Sequence, residues 1–460
     1  MQYDNVGRPA HQRVRHNGRT LYDKSYLWGD NLRLLRTLDT INGRSVRYDY
    51  DAFGSLSGAV YGDGSRQWRN PDAMGNVYDS PDRTDRSYAR GGQLREDRKW
   101  RYYYDSHGNL VLKTMRRMEP SRNAEVRDEL LQWQSGDYAY TWQGNGMLRS
   151  VTRPDGKTVT FRYDALGRRI EKVFDGRVYR YLWDGDVILH EWEYAEADRP
   201  NTVVTETGEV TLDRPEPVEN LITWVYDSAG YVPTAKIVGD KHYSIVSDYI
   251  GRPVQAYDDK GNVVWQADYD IYGNLRNLHG SRQFIPFRQL GQYEDEEIGL
   301  YYNRFRYYDP RIGNYISQDP IRLAGNNPTL YGYVGDLNKR TDIFGLKGGG
   351  SYSSVRSSNI GGEVHHTPAN SINGLSHGEG PSIWMETTDH RMTSSHGWQG
   401  KEGALYRQTQ LDLINQGKFA DAIQMDIDDI QSSFGSKYDS SINEMLDYSY
   451  EKGLISEAER

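Results

Sequence analysis

From the first residue to about residue 300, apolar and polar positions alternate in short runs such as Lys157-Thr158-Val159-Thr160-Phe161-Arg162-Tyr163, and a turn signal closes each run. A period of two puts one face of a strand in a core and the other in water. The pattern therefore predicts a long, coiling antiparallel sheet built from hairpins. The turn signal itself repeats, at Tyr3-Asp4-x-x-Gly7, Tyr50-Asp51-x-x-Gly54, Tyr104-Asp105-x-x-Gly108, Tyr163-Asp164-x-x-Gly167, Tyr226-Asp227-x-x-Gly230, Tyr257-Asp258-x-x-Gly261 and Tyr269-Asp270-x-x-Gly273. In each copy Tyr ends a strand, Asp offers its carboxylate to turn amides, and Gly supplies the positive φ of a tight turn. A Pro- and acid-rich interruption at 195–217 reads as a long surface loop.

Beyond residue 346 the alternation stops. Lys347 to Ser354 is rich in Gly and Ser and reads as a flexible linker. Short strands are predicted at 362–366 and 382–385, with a helix starting at 387–390. Helical spacing then covers 406–416, recurs at Phe419, Ile423, Ile427 and Ile430, and ends in a helix containing Ile442, Met445 and Leu446. The acids within 425–430 are expected on the solvated face of their helix. The predicted organisation is a repeat region 1–346, a linker 347–360 and a small α+β domain 361–460.

Composition agrees with strands and turns: 37 Tyr, 11 Trp and 47 Gly against 9 Phe in 460 residues. The absence of cysteine excludes disulfides, thiolate metal sites and cysteine nucleophiles. Mean hydropathy is −0.84, no run of eighteen apolar residues exists, and Met1-Gln2-Tyr3-Asp4 has no basic and apolar signal region. Neither a membrane span nor a Sec-type signal is expected. Residues 347–460 hold nine basic against sixteen acidic side chains, most of the chain's net charge of −9. That balance opposes broad attraction to nucleic acid and leaves Arg391, Lys401 and Arg407 as a local basic face.

The Tyr-Asp-x-x-Gly unit resembles the YD repeat of the rearrangement-hotspot (Rhs) proteins, the C subunits of insecticidal toxin complexes and the teneurins, over residues 1–346. The resemblance implies a mainly β, hollow spiral shell enclosing a toxic C-terminal domain. Seven repeats and a start in mid-repeat imply a partial shell. The stretch Gly299-Leu300-Tyr301-Tyr302-Asn303-Arg304-Phe305-Arg306-Tyr307-Tyr308-Asp309-Pro310, followed by Ser317-Gln318-Asp319-Pro320 and Thr341-Asp342-Ile343-Phe344-Gly345-Leu346, resembles the end of the Rhs core. Relatives cut themselves there with an aspartyl protease, which implies cleavage between Leu346 and Lys347. Asp319 fits the family element, with Asp342 or Asp336 as the second carboxyl sharing its proton. The competing reading is that these aspartates cap turns, and Ile343 stands where relatives carry Pro.

Five of the 11 histidines fall between His365 and His396. Gly362-Glu363-Val364-His365-His366-Thr367-Pro368, a loop through Asn370, Asn373 and His377, a second strand and a helix start resemble the ββα-metal fold of HNH and endonuclease VII-like nucleases. By that resemblance His365 binds a divalent ion, Mg²⁺ or Zn²⁺, and His366 is the general base. His390 would be the second ligand, His396 or Asp389 the third, and Asn373 would orient His366. An ion to stabilise phosphate charge and an imidazole to activate water are what phosphodiester hydrolysis requires. The chain departs from the pattern in having no Asn just before the second strand. The implied protein is a secreted effector acting in a target cell's cytoplasm. Its implied partners are nucleic acid, DNA in preference to RNA, a cognate immunity protein, and a type VI secretion spike or adaptor. Two alternatives stay open: a metal-free RNase or other toxin using His366 and His390 as an acid–base pair, and a non-enzymatic teneurin-like interaction module.

Overall fold

The computed structural model describes residues 1–29, 33–117, 131–227, 231–320, 329–338, 342, 349–357, 362–397, 399–435, 437–456 and 459. Two antiparallel meanders dominate: a seven-stranded sheet from Gln2–Tyr3 to Arg66–Trp68, and a sixteen-stranded sheet from Ser87–Ala89 to Leu275–His279. In the first, every strand pairs with the next in sequence. The second does the same except at the acid-rich interruption, where Val187–Ala195 pairs directly with Glu219–Tyr226. The interruption is not an irregular loop, because Thr202–Val204 and Val210–Leu212 form a hairpin of their own.

The turn chemistry follows from the repeat. In the turns at Asp4, Asp51, Asp105, Asp164, Asp258 and Asp270, each carboxylate accepts the amides two and four residues on, at 2.8–3.0 Å. The glycine at the fourth position has φ between 74° and 88°, where a Cβ is strained. The copy at Tyr226 includes residues 228–230, outside the described residues. Turns at Asp72 and Asp248 share this hydrogen bonding without a preceding Tyr. Tyrosine's contribution is tertiary: the hydroxyls of Tyr50, Tyr163 and Tyr269 donate back to the carbonyls of Leu34, Leu148 and Pro253 at 2.7–3.0 Å. Inward residues such as Leu110, Val151 and Phe161 pack with Leu300, Tyr302 and Tyr307 of a four-stranded sheet running from Tyr293–Asp295 to Asn314–Tyr315.

The chain divides into two compact units, and Asp319–Pro328 and Thr341–Arg460 both belong to the second. In that unit Pro381–Met385 is the centre of a three-stranded sheet, flanked by Gly349–Ser351 and Glu363–His366, antiparallel to both. Helices follow at Thr387–His390, Gly400–Asn415, Phe419–Phe434 and Asp439–Glu451.

Two expectations are corrected. Within the supposed linker, Gly349–Ser351 is a strand and Tyr352–Ser357 a helix. A Cβ on Gly349 would lie 1.8 Å from the Ser441 carbonyl oxygen, so this glycine permits close packing rather than chain freedom. The acids of 425–430 are not all solvated: Asp426 is 1% exposed, in one stripe with Ala422, Ile423, Ile427 and Ile430. The helical period puts position 426 on that face regardless of its charge.

Candidate metal centre

A strand sends successive side chains to opposite faces, and Glu363–His366 sorts its polar residues accordingly. Glu363 and His365 share one face. His390, at the end of the four-residue helix after the central strand, donates from Nδ1 to Glu363 Oε2 at 2.5 Å. Its ring lies 5.1 Å from that of His365 and 4.9 Å from that of His396. One ligand atom each from Glu363, His390 and His396 lies within 4.8 Å of the others, the one such group of three or more His, Asp or Glu among the described residues.

The loop carrying His396 is held in place. Arg407 Nη1 donates to the carbonyls of Ser395 and His396 at 3.2 Å, and Asp429 accepts from the Ser394 amide and hydroxyl at 2.7 and 2.6 Å. Arg407 therefore organises the site and is not a free basic face. The bonds from His390 and Arg391 hold the Glu363 carboxyl below its usual range. Burial depresses His396, with the neighbouring His390 adding to the effect. His365, 3% exposed, is pushed by burial down to about 3 and is a neutral imidazole at working pH. Its Nε2 lies 3.3 Å from Ser395 Oγ.

His366 stands on the other face. Its ring stacks on Tyr352, centroids 4.4 Å apart and planes 9° from parallel, and its Nε2 donates to the His377 carbonyl at 3.0 Å. The Tyr352 and His377 rings are 4.2 Å apart. Of the residues anticipated from sequence, His365, His390 and His396 are brought together and His366 is not with them. Asp389 is engaged elsewhere, accepting from Lys437 Nζ and Tyr438 Oη at 2.8 and 2.7 Å. The Asn373 amide donates to the Pro368 carbonyl and its Oδ1 accepts the Leu375 amide, so it braces the loop.

Glu363 was missed from sequence, although its place two residues before His365 on one strand put it on the same face. Asp319 and Asp342 both belong to the second unit and are 2% and 6% exposed. The Leu346–Lys347 bond lies outside the described residues.

Residues 1–330 match the family model described as Teneurin YD-shell. Among curated proteins, the double-stranded DNA deaminase toxin A of Burkholderia cenocepacia is 31% identical over 68% of this chain and 22% of its own length. The probable deoxyribonuclease RhsA of Dickeya dadantii is 30% identical over 72% of this chain and 22% of its own. Toxin protein Tse5 of Pseudomonas aeruginosa is 32% identical over 72% and 27%. The chain thus spans about a quarter or less of these relatives. A crystal structure of TcdB2-TccC3-TEV aligns over 75% of this chain and 19% of its own, with 17% identity and a TM-score of 0.43.

Proposed function

The chain belongs to the teneurin YD-shell family, and from that premise we propose that it is part of an Rhs-type toxin whose C-terminal unit is a metal-dependent nuclease. The observation carrying the reading is the convergence of Glu363, His390 and His396. Two imidazoles and one carboxylate are the donor set of a catalytic Zn²⁺ site with an open position, and suit Zn²⁺ better than Mg²⁺, which prefers oxygen ligands. A bound ion would supply Lewis-acid stabilisation of a phosphate and a more acidic water.

In this reading the protein's own groups do the rest. His365, neutral and beside the ligand set, carries a lone pair that can accept a hydrogen bond from that water and orient it. Arg391, which donates to Glu363 Oε1 at 2.9 Å, lies at the rim with its side chain 62% exposed and can meet a phosphate oxygen. A second reading keeps His366 as the base, favoured by its hydrogen bond to the His377 carbonyl, which fixes one tautomer.

Nucleic acid as substrate is supported by relatives named deoxyribonuclease and by the tRNA nuclease WapA of Bacillus subtilis, 28% identical over 48% of this chain. Purified chain should degrade plasmid DNA, lose that activity in EDTA and regain it with Zn²⁺, while Glu363→Ala stays inactive. Undiminished cleavage in EDTA would overturn the metal reading, and cleavage of RNA alone would overturn the preference for DNA.

Delivery as a secreted effector through a spike or adaptor, with a cognate immunity protein in the producer, belongs to the same proposal. So does self-cleavage after Leu346 by Asp319 with Asp342. Asp319→Asn should leave an uncut polypeptide of 53.0 kDa, and a C-terminal fragment released by that variant would refute the assignment.

A further inference from the structure

Strands Arg177–Asp184 and Val187–Ala195 pair so that Tyr181 stands opposite Glu191 and Tyr179 opposite Glu193. Residues two apart share one face of a sheet, so two tyrosines and two glutamates make one mixed patch. Arg282, Tyr293, Glu294 and Glu297 come back to this patch from later in the chain, and together they line a cavity of about 280 Å³ within the first unit.

Five glutamates line the cavity against two cations, Lys172 and Arg282, and both cations are engaged. Lys172 Nζ lies 2.7 Å from Glu297 Oε1 and 3.2 Å from Asp295 Oδ1, and Arg282 Nη2 lies 2.5 Å from Glu294 Oε1. Glu193 pairs with Arg177 at 3.2 Å and accepts from Asn220 Nδ2 at 2.7 Å. Glu191 differs from these. It is 8% exposed, and its oxygens accept from neutral donors, the Trp224 indole at 3.1 Å and the Tyr293 hydroxyl at 2.8 Å. It forms no ion pair among the described residues, while the nearby Lys236 amine donates to the Phe284 carbonyl at 2.8 Å. Burial raises the Glu191 pKa against those two bonds and Lys236. A carboxylate has about four lone-pair sites, so each oxygen has room for a second donor. Buried charge is stable when paired, and a cation in the cavity would pair it.

The walls define the cation. The glutamates do not converge as metal ligands, since among the described residues only Glu363, His390 and His396 bring three such donor atoms within 4.8 Å. Phe174, Tyr179, Tyr181 and Tyr293 supply aromatic lining instead. Such rings attract cations, and three of them already do: Lys172 Nζ lies 4.9 Å from the Tyr179 centroid, and Arg169 Cζ lies 4.8 and 5.1 Å from those of Tyr181 and Tyr293. Aromatic rings beside a buried carboxylate suit a diffuse organic cation, whereas compact metal ions take several oxygen ligands at once.

We propose that this cavity is a binding site for a small organic cation, an alkylammonium or guanidinium group, with Glu191 as its counter-ion. A volume of about 280 Å³ is at the small end of ligand pockets, so it takes a free amine or a single basic side chain. The site belongs to the repeat region and does not depend on the nuclease reading.

The test is calorimetric titration of the full chain with spermidine, agmatine and a capped arginine, with capped citrulline as the neutral isostere of the last. Saturable binding of one cation per chain is expected, with no binding of capped citrulline. Binding of spermidine or agmatine without capped arginine assigns the site to a free amine, and the reverse assigns it to a peptide side chain. Glu191→Gln should weaken binding by about 10–100-fold. Because it removes a buried charge, it should not lower the thermal midpoint, which separates lost binding from lost folding. The exposed Glu296, which also lines the cavity, gives a second variant: Glu296→Gln should cost about two- to fivefold in affinity. Absence of saturable binding by all three cations, equal affinity for capped citrulline, or undiminished affinity in folded Glu191→Gln would each overturn the proposal. If Glu191→Gln does not fold, undiminished affinity in Glu296→Gln overturns it.

Discussion

Replacing Asp426 by Asn gives the sharpest quantitative test of the C-terminal core. In the unfolded chain this carboxyl ionises near 3.8, whereas in the folded unit burial holds the proton until about pH 7. Between those values the unfolded state binds fewer protons than the folded one, so stability falls as pH rises. The penalty is absent below the unfolded value and complete above the folded one. A shift of about three units corresponds to roughly 4 kcal/mol, and at 1% exposure solvent does little to screen it. Asn has nearly the same shape and cannot titrate.

Native-state hydrogen exchange of the helix Phe419–Phe434, in the full chain at pH 4 and pH 8, reads its opening free energy directly. The difference between Asp426→Asn and the unaltered protein should move in the variant's favour by up to about 4 kcal/mol across that interval. Because the comparison is between two otherwise identical chains, the remaining titrating groups cancel. Parallel pH dependence, within about 1 kcal/mol, would refute the raised pKa.

Other predictions concern the repeat region. Gly108 and Gly146 both have φ of 81°, but a Cβ at Gly108 would lie 2.1 Å from Gln318 Nε2 while nothing lies within 4 Å at Gly146. Alanine at either should lose about 1 kcal/mol to backbone strain. Gly108→Ala should lose more, as a lower urea midpoint, and equal midpoints would contradict the packing. Tyr163→Phe removes a buried hydroxyl bonded to the Leu148 carbonyl and to Tyr307 Oη, both at 2.9 Å. It should destabilise by about 1–3 kcal/mol in the same assay, and an unchanged midpoint would refute that role.

What sequence disclosed was governed by how local the deciding physics is. The turns were legible because Asp and Gly settle their geometry within five residues. The turns at Asp72 and Asp248 escaped because Tyr was included in the pattern, although its hydroxyl serves a neighbouring strand and not the turn. The Gly- and Ser-rich stretch after residue 346 was read as freedom, since composition cannot distinguish a glycine that moves from one pressed against the Ser441 carbonyl. Asp426 was misread for the opposite reason: its charge was allowed to outweigh its place in the helical period, which was already visible in Ile423, Ile427 and Ile430.

The two strand histidines illustrate the same point at the site, where assigning residues 363–366 to a strand already implied that His365 and His366 face apart. The His365 face meets Glu363, His390 and Ser395, whereas the His366 face meets Tyr352 and His377. Substituting each by Gln therefore perturbs different structures. His365→Gln should abolish EDTA-sensitive cleavage while Zn²⁺ affinity, measured by competition with a chelating dye, falls little, because Glu363, His390 and His396 remain. His366→Gln should leave both properties largely intact and instead weaken the Tyr352 stack, lowering the thermal midpoint of the C-terminal unit. If His366→Gln is the inactive variant and His365→Gln cuts normally, the base is the residue held by the His377 carbonyl. The metal centre would then draw its proton acceptor from the opposite face of the strand.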